Sequence, residues 1–196
     1  MAFVDPVVLS GEVVELTPME PADGPGLVAA AADGELWTLF YTRVPSPDRM
    51  DKAIETFLRQ REAGTMMPFT VRLVSSGQIV GMTTFCNIDG DNRRLEIGYT
   101  WYARSAQRTG VNPECKLLLL THAFENLGCI AVEFRTHWHN QQSRRALERL
   151  GAKQDGVLRS HMIMPDGLLR DTVVFSIIEP EWPAVRNELR RRLSRR

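Results

Sequence analysis

The chain has 196 residues, 43% of them hydrophobic, with 24 Lys and Arg balanced by 24 Asp and Glu. Zero formal net charge removes any broad electrostatic pull toward nucleic acid. The longest pure aliphatic run, Leu117–Leu120, is far too short to span a bilayer. The opening MAFVDPVVLSGEVVEL has no basic segment followed by a long apolar one, so no signal peptide is expected. Cys86, Cys115 and Cys129 are odd in number and lack metal-type spacing, which suits reduced thiols in the cytoplasm. A single domain over residues 1–196 is the simplest organisation at this length.

Along the chain, residues 12–17 read as a first strand and 24–34 as an alanine-rich helix. Glu35–Tyr41 is an aromatic cluster, read first as a helix packing its rings into the core, with a substrate entrance as the alternative. Ser46 and Pro47 suit the N-cap and first position of a helix whose stripe is Met50, Ile54, Phe57 and Leu58 and which Gly64 stops. Strands are expected at 69–74 and 79–85, joined as a hairpin, and again from Leu95 to Trp101 after the turn at 89–92. A helix over 113–127 turns Leu117, Leu120, Phe124 and Leu127 to one side, with Leu118, Leu119 and Ala123 widening that face, and Gly128 ends it. A strand at 131–136 follows, then a helix capped by Asn140 and stopped by Gly151. Strands at 157–164 and 169–178 flank the turn Pro165-Asp166-Gly167, and a last helix over about 181–193 carries Trp182, Val185, Leu189 and Leu193. Early strands connect by hairpins and later ones through helices. That order predicts an α/β chain with a mixed sheet and helices on both faces.

The organising stretch is Leu95–Asn112. Its alternating strand runs into the loop Gln107-Arg108-Thr109-Gly110-Val111-Asn112 and then into a helix whose first turn holds Pro113. Backbone N–H groups opening onto a helix N-terminus make a ready anion site, so a phosphate-bearing cofactor is expected there. With this loop, the order of elements and the later Asn140-Gln141-Gln142-Ser143 … Leu150-Gly151-Ala152, the chain resembles the GNAT acyltransferases, in the branch that acetylates ribosomal-protein N-termini and small amines. The likeness spans about 12–178. The family loop reads Q/R-x-x-G-x-G/A, and here Asn112 replaces the final small residue.

The resemblance implies a three-layer fold whose sheet splays between the fourth and fifth predicted strands. It implies acetyl-CoA as donor, with its diphosphate on Gln107, Arg108, Thr109, Gly110, Val111 and Asn112 and its pantetheine arm along Trp101, Tyr102, Asn140 and Ser143. The acceptor would be a small-molecule or peptide amine. Many family members protonate the departing thiol with a tyrosine after the Asn motif; the ribosomal branch uses a serine, which carries that role to Ser143. The late-strand carboxylate that can serve as base in that branch aligns with Met162, which cannot act so.

From the residues themselves, Glu96 is the leading base candidate, with Gly98 leaving space beside it; a structural ion pair with Arg93, Arg94 or Arg135 is the competing role. His137 and His139 suit a substrate contact, a general base or rim residues better than a metal site, and no metal is expected. Trp138 is a candidate acceptor wall, with plain packing as its alternative. The arginine-rich tail reads as solvated charge rather than a nucleic-acid patch. A CoA-binding regulatory protein without turnover is the alternative function, and a homodimer is left open.

Overall fold

A computed structural model describes residues 3–164 and 166–194. Thirteen principal elements run in the order β1 (Leu9–Ser10), β2 (Val14–Pro18), α1 (Gly24–Ala32), α2 (Met50–Glu62), β3 (Met66–Leu73), β4 (Ile79–Asp89), β5 (Arg94–Tyr102), α3 (Val111–Thr121), β6 (Ala131–His137), α4 (Gln141–Leu150), β7 (Lys153–Ile163), β8 (Leu169–Ile178) and α5 (Trp182–Leu193). They form one open eight-stranded sheet ordered β1-β2-β3-β4-β5-β6-β8-β7. All neighbours are antiparallel except β5 and β6. That parallel pair is joined through α3, as a crossover between parallel strands requires. Among the described residues no helix is long and apolar enough to cross a membrane.

Register assigns the faces. Glu96, Gly98 and Trp101 share a side with Cys86, Thr84 and Met82, their partners on β4. Glu133, opposite Glu96, brings Arg135 and His137 to the same side. The α2 ring of Phe57 meets Tyr99 there, with centroids 5.6 Å apart. On the other side Phe85 stacks on His122, just past α3, and Lys116 of α3 reaches Thr100. Helix α5 lies over α3, where Trp182 stacks on Phe124 with centroids 5.5 Å apart. Helices therefore cover both faces, as expected.

Two expectations shift. Residues 35–41 form only a short 3-10 turn, Leu36–Thr38, and of this cluster Leu36 alone is buried. The entry residue Glu35 is left-handed (φ 48°), which breaks helical continuity after Gly34. Helix α3 begins at Val111, ahead of Pro113, and passes into a π-helical turn at His122–Asn126. Its buried residues are Val111, Glu114, Cys115, Lys116, Leu119 and Leu120, while Leu117 and Leu118 are only partly covered. Strand β1 is too short for periodicity to announce. Pro165, Arg195 and Arg196, placed by sequence in a turn and a basic tail, lie outside the described residues.

Candidate active site at the splayed strands

Strands β5 and β6 pair at only three positions, Arg94↔Ala131, Leu95↔Val132 and Glu96↔Glu133. Beyond them the strands part, so from Ile97 to Tyr102 the β6-facing edge of β5 has no ladder partner. On its other edge β5 stays paired to β4, but Tyr99 and Thr100 together oppose the single Thr83. This is a β-bulge, and Tyr99 takes a positive φ of 51° to make it. A bulged residue is unpaired, and strain of this kind in a bulky residue is a mark of functional sites. A strand edge with free N–H and C=O groups accepts an extended amide-bearing ligand as an added strand.

The loop after β5 ends this edge. Gln107 Nε2 donates to the Tyr102 carbonyl at 3.0 Å, and Thr109 Oγ1 donates to Ala106 O at 2.6 Å, so both side chains brace the loop from within. Arg108 takes the left-handed conformation (φ 59°) and its side chain is exposed. Among the described residues the amides of Arg108, Thr109, Gly110 and Asn112 donate no hydrogen bond within the protein, and the Val111 amide has only a 3.3 Å contact to Thr109 Oγ1. Successive unbonded amides at the N-terminus of α3 make a nest for an anionic group. Gly110 itself has φ −67°, and a Cβ there would meet Val13 and Leu193 at 3.5 and 4.0 Å. Those are ordinary contacts. A larger side chain at 110 thus points at apolar neighbours and does not crowd the nest.

On the α1–α2 face, Glu96 is 6% exposed. Its carboxylate accepts from Asn87 Nδ2 at 2.7 Å and faces Arg135 Nε at 3.5 Å. Asn87 reaches it because β4 carries a second irregularity between Cys86 and Asp89, with Asn87 at φ 47°. Burial is the dominant influence and raises the pKa of Glu96, opposed by the Asn87 hydrogen bond and Arg135. A Cβ on Gly98 would lie 2.9 Å from Glu96 Oε1, so the glycine does make room for this carboxylate. The ion-pair partner is Arg135; Arg94 binds Glu133 instead, at 2.6 Å.

The same face continues to Arg170 on β8 and Met162, its register partner on β7. Arg43, from the loop between α1 and α2, contacts the Met162 sulfur at 3.7 Å. Arg170 donates to Thr172 Oγ1 at 3.1 Å, and its pKa is lowered by burial and by Arg43. Neither guanidinium forms an ion pair among the described residues. Farther out, Phe40, His137, His139, Met164, Asp166, Leu168 and Leu169 line a cavity of about 280 Å³. Phe40 is 59% exposed, and its centroid lies 6.0 Å from that of His137, so its ring faces this cavity and not the core. His137 Nδ1 accepts the His139 amide at 3.0 Å. In the neutral ring the proton then sits on Nε2. Burial lowers its pKa and favours that neutral form. Trp138 is not among the cavity residues; it packs under the Arg144 guanidinium at 4.3 Å. Among the described residues no third His, Cys, Asp or Glu completes a metal-binding group with the histidines.

On the β6 side of the gap, Asn140 caps α4 by accepting the Ser143 amide at 3.0 Å. Its side-chain NH2 and the Ser143 hydroxyl donate no hydrogen bond within the described protein. Sequence reasoning passed over Asn87, Tyr99, Glu114, Lys116 and Arg170. Lys116 had a usable signal: it shares a helical face with Leu119, Leu120 and Ala123, a charge on an apolar stripe. Asn87, Tyr99 and Arg170 depend on bulges and strand order, and Glu114 on the packing of α3 against the start of β2, which residue spacing does not encode.

An unpaired strand edge leading to an anion nest is the architecture of an acyl-carrier transferase. The Acetyltransferase (GNAT) domain family matches residues 14–153, well over half of the chain, and the protein belongs to that family. It is an acyltransferase with acetyl-CoA as cosubstrate. A Bacillus subtilis chain provisionally named ribosomal N-acetyltransferase YdaF is 27% identical over 175 residues, covering 87% of this chain and 94% of its own. The crystal structure of a GCN5-related N-acetyltransferase from Brucella melitensis is similar at a TM-score of 0.84 and 29% identity, covering 97% of this chain and 86% of that one. Mycobacterium smegmatis RimJ, solved in complex with CoA-disulfide, shares the fold at a TM-score of 0.76 and 23% identity, over 95% of this chain and 92% of its own.

Proposed function

We propose that the protein transfers the acetyl group of acetyl-CoA to a primary amine by direct attack of the amine on the thioester. The observation that carries this reading is the bulged, unpaired edge of β5 with the buried Glu96 carboxylate beside it. Acetyl-CoA supplies an acyl group already activated as a thioester. The amides from Arg108 to Asn112, aided by the α3 dipole, hold the diphosphate, and exposed Arg108 adds a charge-assisted contact. The edge at Trp101 and Tyr102 takes the pantetheine arm, with the Asn140 NH2 as a second donor.

An α-amine has a pKa of about 8 and a lysine about 10.4, so either arrives mostly protonated at neutral pH. Glu96 removes that proton, directly or through water; its raised pKa makes it a better base than an exposed carboxylate. An unpaired bulge amide between Tyr99 and Trp101 meets the charge that develops on the carbonyl oxygen. Ser143 returns a proton to the sulfur in this reading. Arg43 and Arg170 favour an acceptor with an acidic group near its amine. The name of the B. subtilis relative points to a protein N-terminus, and a peptide with early acidic residues satisfies both features.

A thiol-release assay against amino acids, polyamines and N-terminal peptides tests the proposal. Sustained CoA release with an amine is expected, fastest with acidic peptides. Tight CoA binding with no release from any amine would point instead to a CoA-binding regulatory protein.

A further inference from the structure

Lys116 is 7% exposed, in the apolar heart of α3. Its Nζ reaches Thr100 Oγ1 at 3.3 Å and lies 5.7 Å from the centroid of Phe134. Thr100 belongs to the β5 bulge, and Phe134 is the first β6 residue past the last β5–β6 pair. The ammonium therefore bridges the two strands at the point where they part, on the face opposite Glu96. Among the described residues it forms no ion pair. The titratable group acting on it is Cys115 on its own helix, whose thiol burial pushes up to about 12; Tyr102 of β5, next to Cys115, is pushed well above its usual value by burial. Both are neutral at pH 7. Burial brings Lys116 down to about 8, so it remains mostly charged at pH 7.

A buried cation with one long bond to a hydroxyl and an aromatic neighbour is poorly compensated. Such a group is useful where negative charge develops only during a reaction, because a preoriented charge in a dry site then stabilises the transition state over the ground state. In acetyl transfer the new C–N bond forms as the C–S bond breaks. The amine proton passes to Glu96, and the C–S electron pair stays on sulfur until that atom is reprotonated.

We propose that the Lys116 ammonium is the cationic floor of the gap and holds the negative charge of the departing CoA sulfur. The assignment rests on the acetyltransferase reading above and adds a catalytic residue to it. Lys116 keeps its own proton in this step, and the proton that completes the thiol, from Ser143 or solvent, arrives only as CoA leaves the site.

Calorimetric titration of free CoA into the wild-type protein at pH 7, in two buffers of different ionisation enthalpy, counts the protons exchanged. A free thiol has a pKa of about 8.5 and is mostly protonated at this pH. Capture as thiolate beside Lys116 releases close to one proton per CoA, whereas acetyl-CoA releases none. In Lys116→Met, CoA should bind without proton release, turnover should fall about 100-fold, and the free protein should melt at a higher temperature because an apolar chain replaces a buried charge. CoA that binds the wild type without releasing a proton overturns the assignment alone, whatever the variant does. So does a Lys116→Met protein with wild-type turnover. Failure of CoA to bind at all overturns the acetyltransferase reading, and this assignment with it.

Discussion

Replacing Glu96 by Gln separates chemistry from architecture. The new side chain keeps the shape and can still accept from Asn87, whose Nδ2 lies 2.7 Å from the present carboxylate. What is lost is the charge facing Arg135 at 3.5 Å, where the Arg side chain is 32% exposed and the Glu side chain 9%. A pair so placed contributes on the order of 1 kcal/mol, and relief of the buried charge offsets part of it. Net stability should therefore change by less than about 1 kcal/mol, or roughly 2–4 °C in Tm for a chain of this size. The rate should respond far more strongly. A general base contributes about 100- to 10,000-fold, or about 3–5 kcal/mol of barrier. Because burial raises the folded-state pKa of Glu96 above its unfolded value, folding takes up a proton at this site. Its favourable contribution to stability is present below the ordinary carboxylate pKa and is lost as pH rises through the raised value. The variant should therefore gain stability relative to wild type between acid and neutral pH. In the rate profile the wild type should show an acid limb above the usual carboxylate range, and Glu96→Gln should lack it. Steady-state kinetics from pH 5 to 9 alongside melting curves decide the matter. Unchanged kcat/KM and pH profile with a lowered Tm would reduce Glu96 to a structural partner of Arg135.

Other outcomes follow from the same geometry. Glu114 accepts the amides of Glu12, Val13 and Val14 at 3.0, 2.7 and 2.7 Å, so Glu114→Ala should cost about 3–5 kcal/mol and lower Tm by roughly 10 °C; calorimetry would exclude this if the melting point held. Arg108→Gly removes a left-handed side chain, so stability should stay within about 1 kcal/mol while CoA affinity falls about tenfold by calorimetry. Gly110→Ala, at negative φ with open contacts, should leave both nearly unchanged, and a large loss would show that the loop packs differently. Arg170→Gln should raise KM for acidic acceptors several-fold with little effect on neutral ones, and equal effects on both would remove the proposed charge selection.

The hydrophobic periods of the chain were enough to place most strands and helices, because a buried face repeats every two residues in a strand and about every 3.6 in a helix. The loop from Gln107 to Asn112 was legible for a related reason. A break after a strand, followed by residues suited to a helix start, is local information. Asn140 and Gly151, the cap and stop of α4, were readable in the same way.

Other features needed the fold. The helix expected at 35–41 is broken at the left-handed Glu35, and Phe40 beyond it lines a cavity with His137 and His139, far along the chain. The stacking of Arg144 on Trp138 joins a helix residue to the end of β6, which spacing does not announce. Glu96 gained a partner through a bulge in β4, and Tyr99 entered the site through a bulge in β5; both depend on the register between strands. Lys116 became significant only when α3 was set beneath the point where β5 and β6 separate. The sequence alone determined most of the strand and helix segments and the place of the loop where α3 begins, since short-range patterns govern those choices. Only the tertiary structure decided which charges meet, which strand edge stays open and what lies beneath it, because those contacts join residues distant in the chain.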